Sequence, residues 1–127
     1  MAITGTPQAD PISALGVWND TDAEGTAVNN IRPGATKLDL LDVDNAANAA
    51  VSYLKIYDSL GPTIGTTDPD WILPVAASVQ RTYLFTEDDV MGLTVANGIS
   101  YAVVTGAGTA GTTSPTSAVI LDGVANA

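Results

Sequence analysis

The sequence predicts an all-β fold: a single antiparallel β-sandwich or jelly-roll-like domain of about eight short strands with little helix. Short apolar or alternating runs recur along the chain, and many of its twelve glycines and seven prolines lie between them. Hydrophobic residues make up 46% of the chain but aromatic residues only 6%, so the core must consist mainly of aliphatic side chains. A chain of 127 residues is long enough for one domain with one core.

The ends of the chain differ in composition from its middle. Residues 1–11 contain glycine and proline with little apolar periodicity, which predicts an extended N-terminal arm. The alternating and apolar runs then place the sandwich domain at residues 12–123. Residues 124–127 are predicted to form a flexible C-terminal tail.

Two short strands are predicted in the first quarter of the domain. The apolar run ISALGVW at 12–18 is typical of a first strand, and the turn-forming residues NDTDAEG at 19–25 should end it. TAVNNI at 26–31 predicts a second strand, which the sequence Arg-Pro-Gly then interrupts.

The segment ATKLDLLDVDN predicts a half-buried strand. Thr36, Leu38 and Leu40 alternate with Lys37, Asp39 and Leu41, so one face should be apolar and the other mostly charged over its first half. The next segment, DNAANAA, has no amphipathic stripe and predicts a loop or a single turn.

The strongest strand signal is VSYLKIYDS at 51–59. Leu54 and Ile56 lie on one side of this strand, whereas Lys55 and Tyr57 lie on the other. We expect the Leu54 and Ile56 side to face the core.

The second half of the chain contains the remaining predicted elements. Pro74 lies inside the run WILPV, which predicts an edge strand because proline donates no backbone hydrogen bond. Residues 78–85 alternate again, and 98–106 and 116–123 predict two further strands. The sequence TEDD at 86–89 is typical of the start of a short helical turn.

Charge and residue types exclude several functions. Fourteen acidic against four basic residues give a net charge of −10, so nucleic acid and anionic membranes are unsuitable partners. The chain has no cysteine and no histidine, which excludes Cys or His zinc sites and imidazole-dependent triads. It shows no signal-peptide pattern and no apolar run long enough to span a membrane, which predicts a soluble protein.

No cofactor, metal or catalytic residue is predicted. Asp20, Asp22 and Glu24 match the opening of an EF-hand calcium loop, but the acid expected at its twelfth position is Ile31, so a solvated acidic turn is favoured. The glycine-rich segment TGAGTAGTT lacks the lysine of a phosphate-binding loop and is interpreted as a flexible connection.

A five-residue pattern, GTTxP, occurs twice, beginning at Gly65 and at Gly111. The residues that follow the two copies differ, and a solenoid would need about three copies. Both copies are therefore interpreted as local turns that precede strands, since glycine permits a tight bend and proline fixes the chain after it.

Five residues are candidates for contact with a partner. Ile3, Pro7 and Pro11 lie in the predicted arm, which is free to bind a neighbour. Trp18 and Trp71 are candidates because aromatic side chains often anchor interfaces, although a place in the core is the commoner role for each.

Between Tyr53 and Ser114, four motifs follow in a fixed order: YLKIYD, PTIGTTDPDWILPV, GLTVANGISYAVVTGAG and GTTSP. In this order they resemble small capsid-associated β domains of tailed bacteriophages. The resemblance covers about half the chain. It implies a structural sandwich module of the virion that decorates or cements the outer capsid surface after synthesis in the host cytoplasm, with the major capsid protein as partner. The resemblance implies no catalytic residue in this chain.

The first 50 residues do not share the resemblance, so they could determine where the protein attaches. Binding to a repeated lattice favours a homo-oligomer, and a trimer fits three-fold positions. One alternative is a head-fibre or tail-fibre subunit that contacts a host surface. Another is a carbohydrate-binding module or a carboxylate-dependent hydrolase, which would need an exposed aromatic platform or a cleft.

Overall fold

The computed structural model describes residues 15–33, 35–85 and 93–126. These residues form nine strands: β1 (Leu15–Ala23), β2 (Val28–Pro33), β3 (Thr36–Asp44), β4 (Ser52–Asp58), β5 (Trp71–Val75), β6 (Gln80–Leu84), β7 (Leu93–Val95), β8 (Gly98–Val104) and β9 (Val119–Asn126). The ninth strand, which the sequence analysis did not predict, is β7. It has only three residues, too few to show an alternating pattern.

The strands form two antiparallel sheets. Sheet A has the order β1-β9-β3-β6, and β7 also pairs with β3. Sheet B has the order β2-β8-β4-β5. The prediction of an all-β antiparallel sandwich is thus confirmed. The described residues include no helix, and so none that is long and apolar enough to cross a membrane.

The core lies between the two sheets and is mainly aliphatic, as the composition predicted. Sheet A contributes Trp18, Leu41 and Leu121, and sheet B contributes Leu54 and Ile56. The Leu54 and Ile56 side of β4 therefore faces the core, as predicted. All seven residues of β8 are buried, so this strand is covered on both faces.

A β-bulge in β3 changes which residues face the core. The pairing of β3 with β9 shifts between Leu38 and Leu40. Before the shift Leu38 is buried, and after it Leu41 and Val43 are buried while Leu40 is partly exposed. The prediction that Leu38 and Leu40 share a buried face is wrong, because the extra residue of a bulge reverses the alternation of the residues that follow.

β1 is longer than predicted. The segment 19–25 was expected to be an acidic turn, but β1 continues to Ala23. Asp20 is fully buried and accepts a hydrogen bond from the Tyr101 hydroxyl at 2.7 Å, and Asn19 donates to Asp122 at 2.6 Å. These contacts with distant strands stabilise an extended conformation that the local sequence does not favour.

The predicted flexible tail from residue 124 is also partly wrong. β9 extends to Asn126, because Val124 pairs with both Val17 and Leu40 and the neighbouring Ala125 is fully buried. Pairing on both sides fixes this segment as a strand in the middle of sheet A.

Other predictions concern the edge and the undescribed segments. β5, which contains Pro74, is an edge strand of sheet B, as predicted. The predicted arm at 1–11 and the helical turn at 86–89 lie outside the described residues.

Two buried asparagines connect three loops at one end of the sandwich. Asn45 donates to the backbone carbonyls of Ala50, Val75 and Ala76, and its own carbonyl accepts from Asn48. Asn48 in turn exchanges hydrogen bonds with the backbone of Ser117. The DNAANAA segment is therefore a loop, as predicted, and its two buried asparagines hold the backbone of the neighbouring loops in place.

Trp18 depends on a glycine on the neighbouring strand. Trp18 pairs with Gly123, and a Cβ atom at Gly123 would lie 2.3 Å from the indole ring. We therefore expect Gly123→Ala to lower the free energy of unfolding by about 1–3 kcal/mol, since overpacking forces the ring or the backbone to move. Denaturant titration measures this change.

The matched control is Gly61→Ala, because a Cβ atom at Gly61 meets nothing within 4 Å. Its free energy of unfolding should change by less than about 0.5 kcal/mol. Equal stability of the two variants would contradict the assigned packing of Trp18 on Gly123.

Candidate interaction surfaces

The two GTTxP turns contact each other on the outer side of sheet B. The first lies in the 59–70 loop between β4 and β5, and the second lies in the 105–118 loop between β8 and β9. Gly65 has a φ of 94°, and a Cβ atom there would lie 2.6 Å from the Thr112 methyl group. Gly65 is thus needed both for its backbone conformation and for the close approach of the second loop.

A side-chain hydrogen bond also joins these loops. The Thr109 hydroxyl donates to the Asp68 carboxylate at 2.7 Å. The sequence alone indicates two separate local turns. The structure instead joins them in one surface, which we call the paired loops (59–70 and 105–118).

Lys55 anchors the paired loops to the sheet. Its ammonium group donates to the carbonyls of Gly108 and Gly111 at 2.5 and 3.0 Å. The residue is fully buried, and burial lowers the pKa of the Lys55 ammonium group. The glycine-rich segment therefore directs carbonyl oxygens at a cation, whereas a phosphate-binding loop directs N–H groups at an anion.

Tyr57 lies on the same face of β4 as Lys55 and is also covered. It lies two residues after Lys55 and is also fully buried, and burial raises the pKa of its hydroxyl. β4 is thus buried on both faces. The cover over its Lys55 and Tyr57 face is not evident from the sequence, because it depends on contacts with the 105–118 loop, which is distant in sequence.

Trp71 begins the edge strand beside the paired loops. It is partly buried and packs against the core, while the next residue, Ile72, is exposed. The Tyr83 hydroxyl donates to the carbonyl of Pro74, which connects this edge to β6 of sheet A. Trp71 therefore remains a candidate contact residue only through the exposed part of its ring.

The other candidate contact residues fall into two groups. Trp18 is only 4% exposed and belongs to the core, so it does not form a surface anchor. Its burial follows from the opposing Gly123, which leaves room for the indole ring over the strand. Ile3, Pro7 and Pro11 lie outside the described residues.

Asp20, the first acidic residue of the candidate calcium loop, has a structural role in the sandwich. Asp20 is buried against Tyr101, and its other oxygen accepts the backbone N–H of Asp22. Among the described residues, no three acidic side chains are placed to hold a metal ion together.

The contact with Asp20 also affects Tyr101. Burial of the Tyr101 hydroxyl raises its pKa, and the hydrogen bond to Asp20 and the charge of Asp20 act in the same direction.

Asp58 holds the turn between β7 and β8. Its carboxylate accepts the backbone N–H groups of Ala96 and Asn97 at 2.8 to 3.2 Å. Burial opposes ionisation of this group, but the hydrogen bonds outweigh it, and the pKa of Asp58 is lowered. This carboxylate is therefore a structural cap.

Comparisons with known proteins give no family. No protein-family model matches the chain, and no curated protein matches it. Among solved structures, Drosophila melanogaster CENP-C bound to CAL1 matches with a TM-score of 0.27 and 10% identity over 87% of this chain and 63% of that one. The Drosophila melanogaster CENP-C cupin domain matches with a TM-score of 0.28 and 9% identity over 91% and 62%.

The chain thus spans less than two thirds of each of these structures. At such TM-scores the likeness carries no argument about fold or function. The fold assignment depends on the two sheets described above.

We expect Lys55→Met to loosen the 105–118 loop, because the carbonyls of Gly108 and Gly111 would lose a charged donor. The amides of Thr105 and Gly111, which donate to Thr113 and Gly108, should then exchange at least about tenfold faster with solvent deuterium. Lys37→Met, in sheet A, is the control and should leave these amides unchanged. Equal protection in both variants would contradict the anchoring role of Lys55.

Stability should fall in alkali through Tyr101. A phenol with a raised pKa in the folded state stabilises the fold fully below the unfolded pKa of about 10 and loses that contribution as pH rises above it. Between pH 10 and 11 the unfolding free energy of the wild type should fall by about 1 kcal/mol more than that of Tyr101→Phe. Denaturant titrations at several pH values test this, and parallel curves would rule out the effect.

Proposed function

We propose that this chain is a non-enzymatic structural protein that binds the outer surface of a tailed-phage capsid and stabilises or decorates it. The observation that carries the proposal is the ordered set of motifs between Tyr53 and Ser114. These motifs comprise β4, the 59–70 loop, β5, β7, β8 and the start of the 105–118 loop. Most of them form one continuous part of the molecule, sheet B and its paired loops.

The contacts within that part support its treatment as a unit. Lys55 on β4 holds the 105–118 loop, and Gly65 and Asp68 hold the same loop from the other side. The motif order that resembles phage decoration proteins therefore corresponds to a single packed module. A module of this kind gives the sandwich a rigid frame on which a contact surface can be held in place.

Such a protein would stabilise the capsid by adding buried interface to the assembled shell. A protein that binds only the assembled shell stabilises that state by mass action, as does any ligand specific to one state. Several copies held in one oligomer would bind a repeated lattice through individually weak contacts. The proposed partner is the major capsid protein.

Imaging of virions tests the proposal. Electron-microscopy maps of the wild-type phage and of a phage whose gene for this chain is deleted should differ by density at repeated positions, such as three-fold sites, on the outer capsid. Density that is missing only from the tail would support the fibre alternative instead. Identical maps would overturn both.

The arm provides a second test. Deletion of residues 1–11, which include Ile3, Pro7 and Pro11, should lower the occupancy of the protein on virions if the predicted arm contributes to the interface. Quantitative gel analysis of purified virions measures occupancy, and the unfolding midpoint of the purified variant shows that the domain is intact. Unchanged occupancy would remove the arm from the proposed interface.

A further inference from the structure

The outer face of sheet A carries a row of apolar side chains that crosses four strands. Val17 pairs with Val124, Val124 pairs with Leu40, and Leu40 pairs with Leu84. Directly opposed residues point to the same side of an antiparallel sheet, so the four side chains form a continuous line, which we call the apolar row. At the usual strand spacing the row is roughly 14 Å long.

The row faces away from the core. The neighbouring residues Trp18, Leu41 and Gly123 are buried inward, and strand alternation directs Val17, Leu40 and Val124 outward. Val17 is 41% exposed and Leu84 is 66% exposed. An open face of an antiparallel sheet is normally polar, so four aligned apolar residues make this face a candidate interaction surface.

Acidic side chains flank one side of the row. The next outward row contains Asp122 and Asp42, and Asp44 lies in the row after it. Asn19 donates to Asp122, and Gln80 and Thr82 donate to Asp42, so these carboxylates are held in place as hydrogen-bond acceptors. The outer face thus carries the apolar row with an ordered acidic border on one side, and Lys37 of β3 lies on the other side of the row.

From this face we infer that the apolar row binds a protein surface whose own apolar side chains are bordered by lysine or arginine. The net charge of −10 argues against a second copy as the occupant, since two such faces would bring their carboxylates together. The inference deepens the proposed function and rests on it. It assigns the capsid contact to sheet A, on the side of the sandwich opposite the paired loops.

Rebinding to virions tests the assignment. The probe is virions from the phage that lacks the gene for this chain, and the ligand is the purified full-length protein. Leu84→Ser and Val17→Ser should each weaken binding at least fivefold, because apolar contacts near the centre of an interface carry much of its affinity. Both residues are exposed, so the folded state should persist, and the unfolding midpoint checks this.

Val79→Ser is the matched control. Val79 is 42% exposed, close to the 41% of Val17, but it precedes β6 and lies outside the row. Its binding should equal that of the wild type. Equal loss in all three variants, or no loss in any, would overturn the assignment of the row.

The acidic border has its own test. The double variant Asp42→Asn with Asp122→Asn should bind at least fivefold more weakly, and its binding should depend less on salt concentration than that of the wild type. Unchanged affinity and salt dependence would overturn the inferred basic partner, even if the apolar variants fail to bind.

Two further outcomes separate this inference from the proposed function. If the wild type does not bind the virions at all, the proposed function fails and this inference fails with it. If the wild type binds the virions and the row variants bind them as tightly as the wild type does, the proposed function stands and the assignment of the capsid contact to the row fails. If sedimentation shows that Leu84→Ser dissociates an oligomer of the wild type, a second copy occupies the row and the inferred partner is wrong.

Discussion

The register between β3 and β9 determines the arrangement of sheet A. β3 pairs with β9 on one side and with β6 and β7 on the other. A shift in the register of β3 would therefore displace these three strands directly, and β1 through its pairing with β9. The bulge between Leu38 and Leu40 lies in this pairing. It places Leu41 and Val43 in the core and Leu40 on the outer face. Both the core and the apolar row therefore depend on one irregularity.

The two outer faces of the sandwich are unequal. Sheet B is covered by the paired loops, which Lys55 holds from below, so its strands β4 and β8 are buried on both faces. Sheet A keeps an outer face with the apolar row and its acidic border. A buried outer face rigidifies the module but leaves little strand surface for a partner, and for this reason the open face of sheet A is the stronger docking candidate.

Sequence patterns predicted the elements whose structure is set locally. The alternation of β4 and the position of Pro74 at an edge could be read directly, because side-chain period and proline chemistry act within a few residues. The buried positions of Asp20 and Trp18 could not. Asp20 depends on Tyr101, 81 residues away, and Trp18 depends on Gly123 across the sheet. The contact of the two GTTxP turns was equally hidden, although their shared glycine and threonine content was the signal that pointed to both loops.

The burial of Lys55 also affects the electrostatics of the surface. Only four basic residues oppose fourteen acidic ones, and one of the four is fully buried beneath the paired loops. Its ammonium group is directed at two carbonyls beneath the paired loops, so it does not offset the carboxylates on the outer face of sheet A at close range, and acidic residues dominate the field there. Such a field attracts basic surfaces over distances of about 10 Å at ordinary salt concentrations and repels further copies of the same acidic face. The use of Lys55 as a loop anchor on one side of the sandwich therefore removes a basic residue that could have offset the acidic border on the other side.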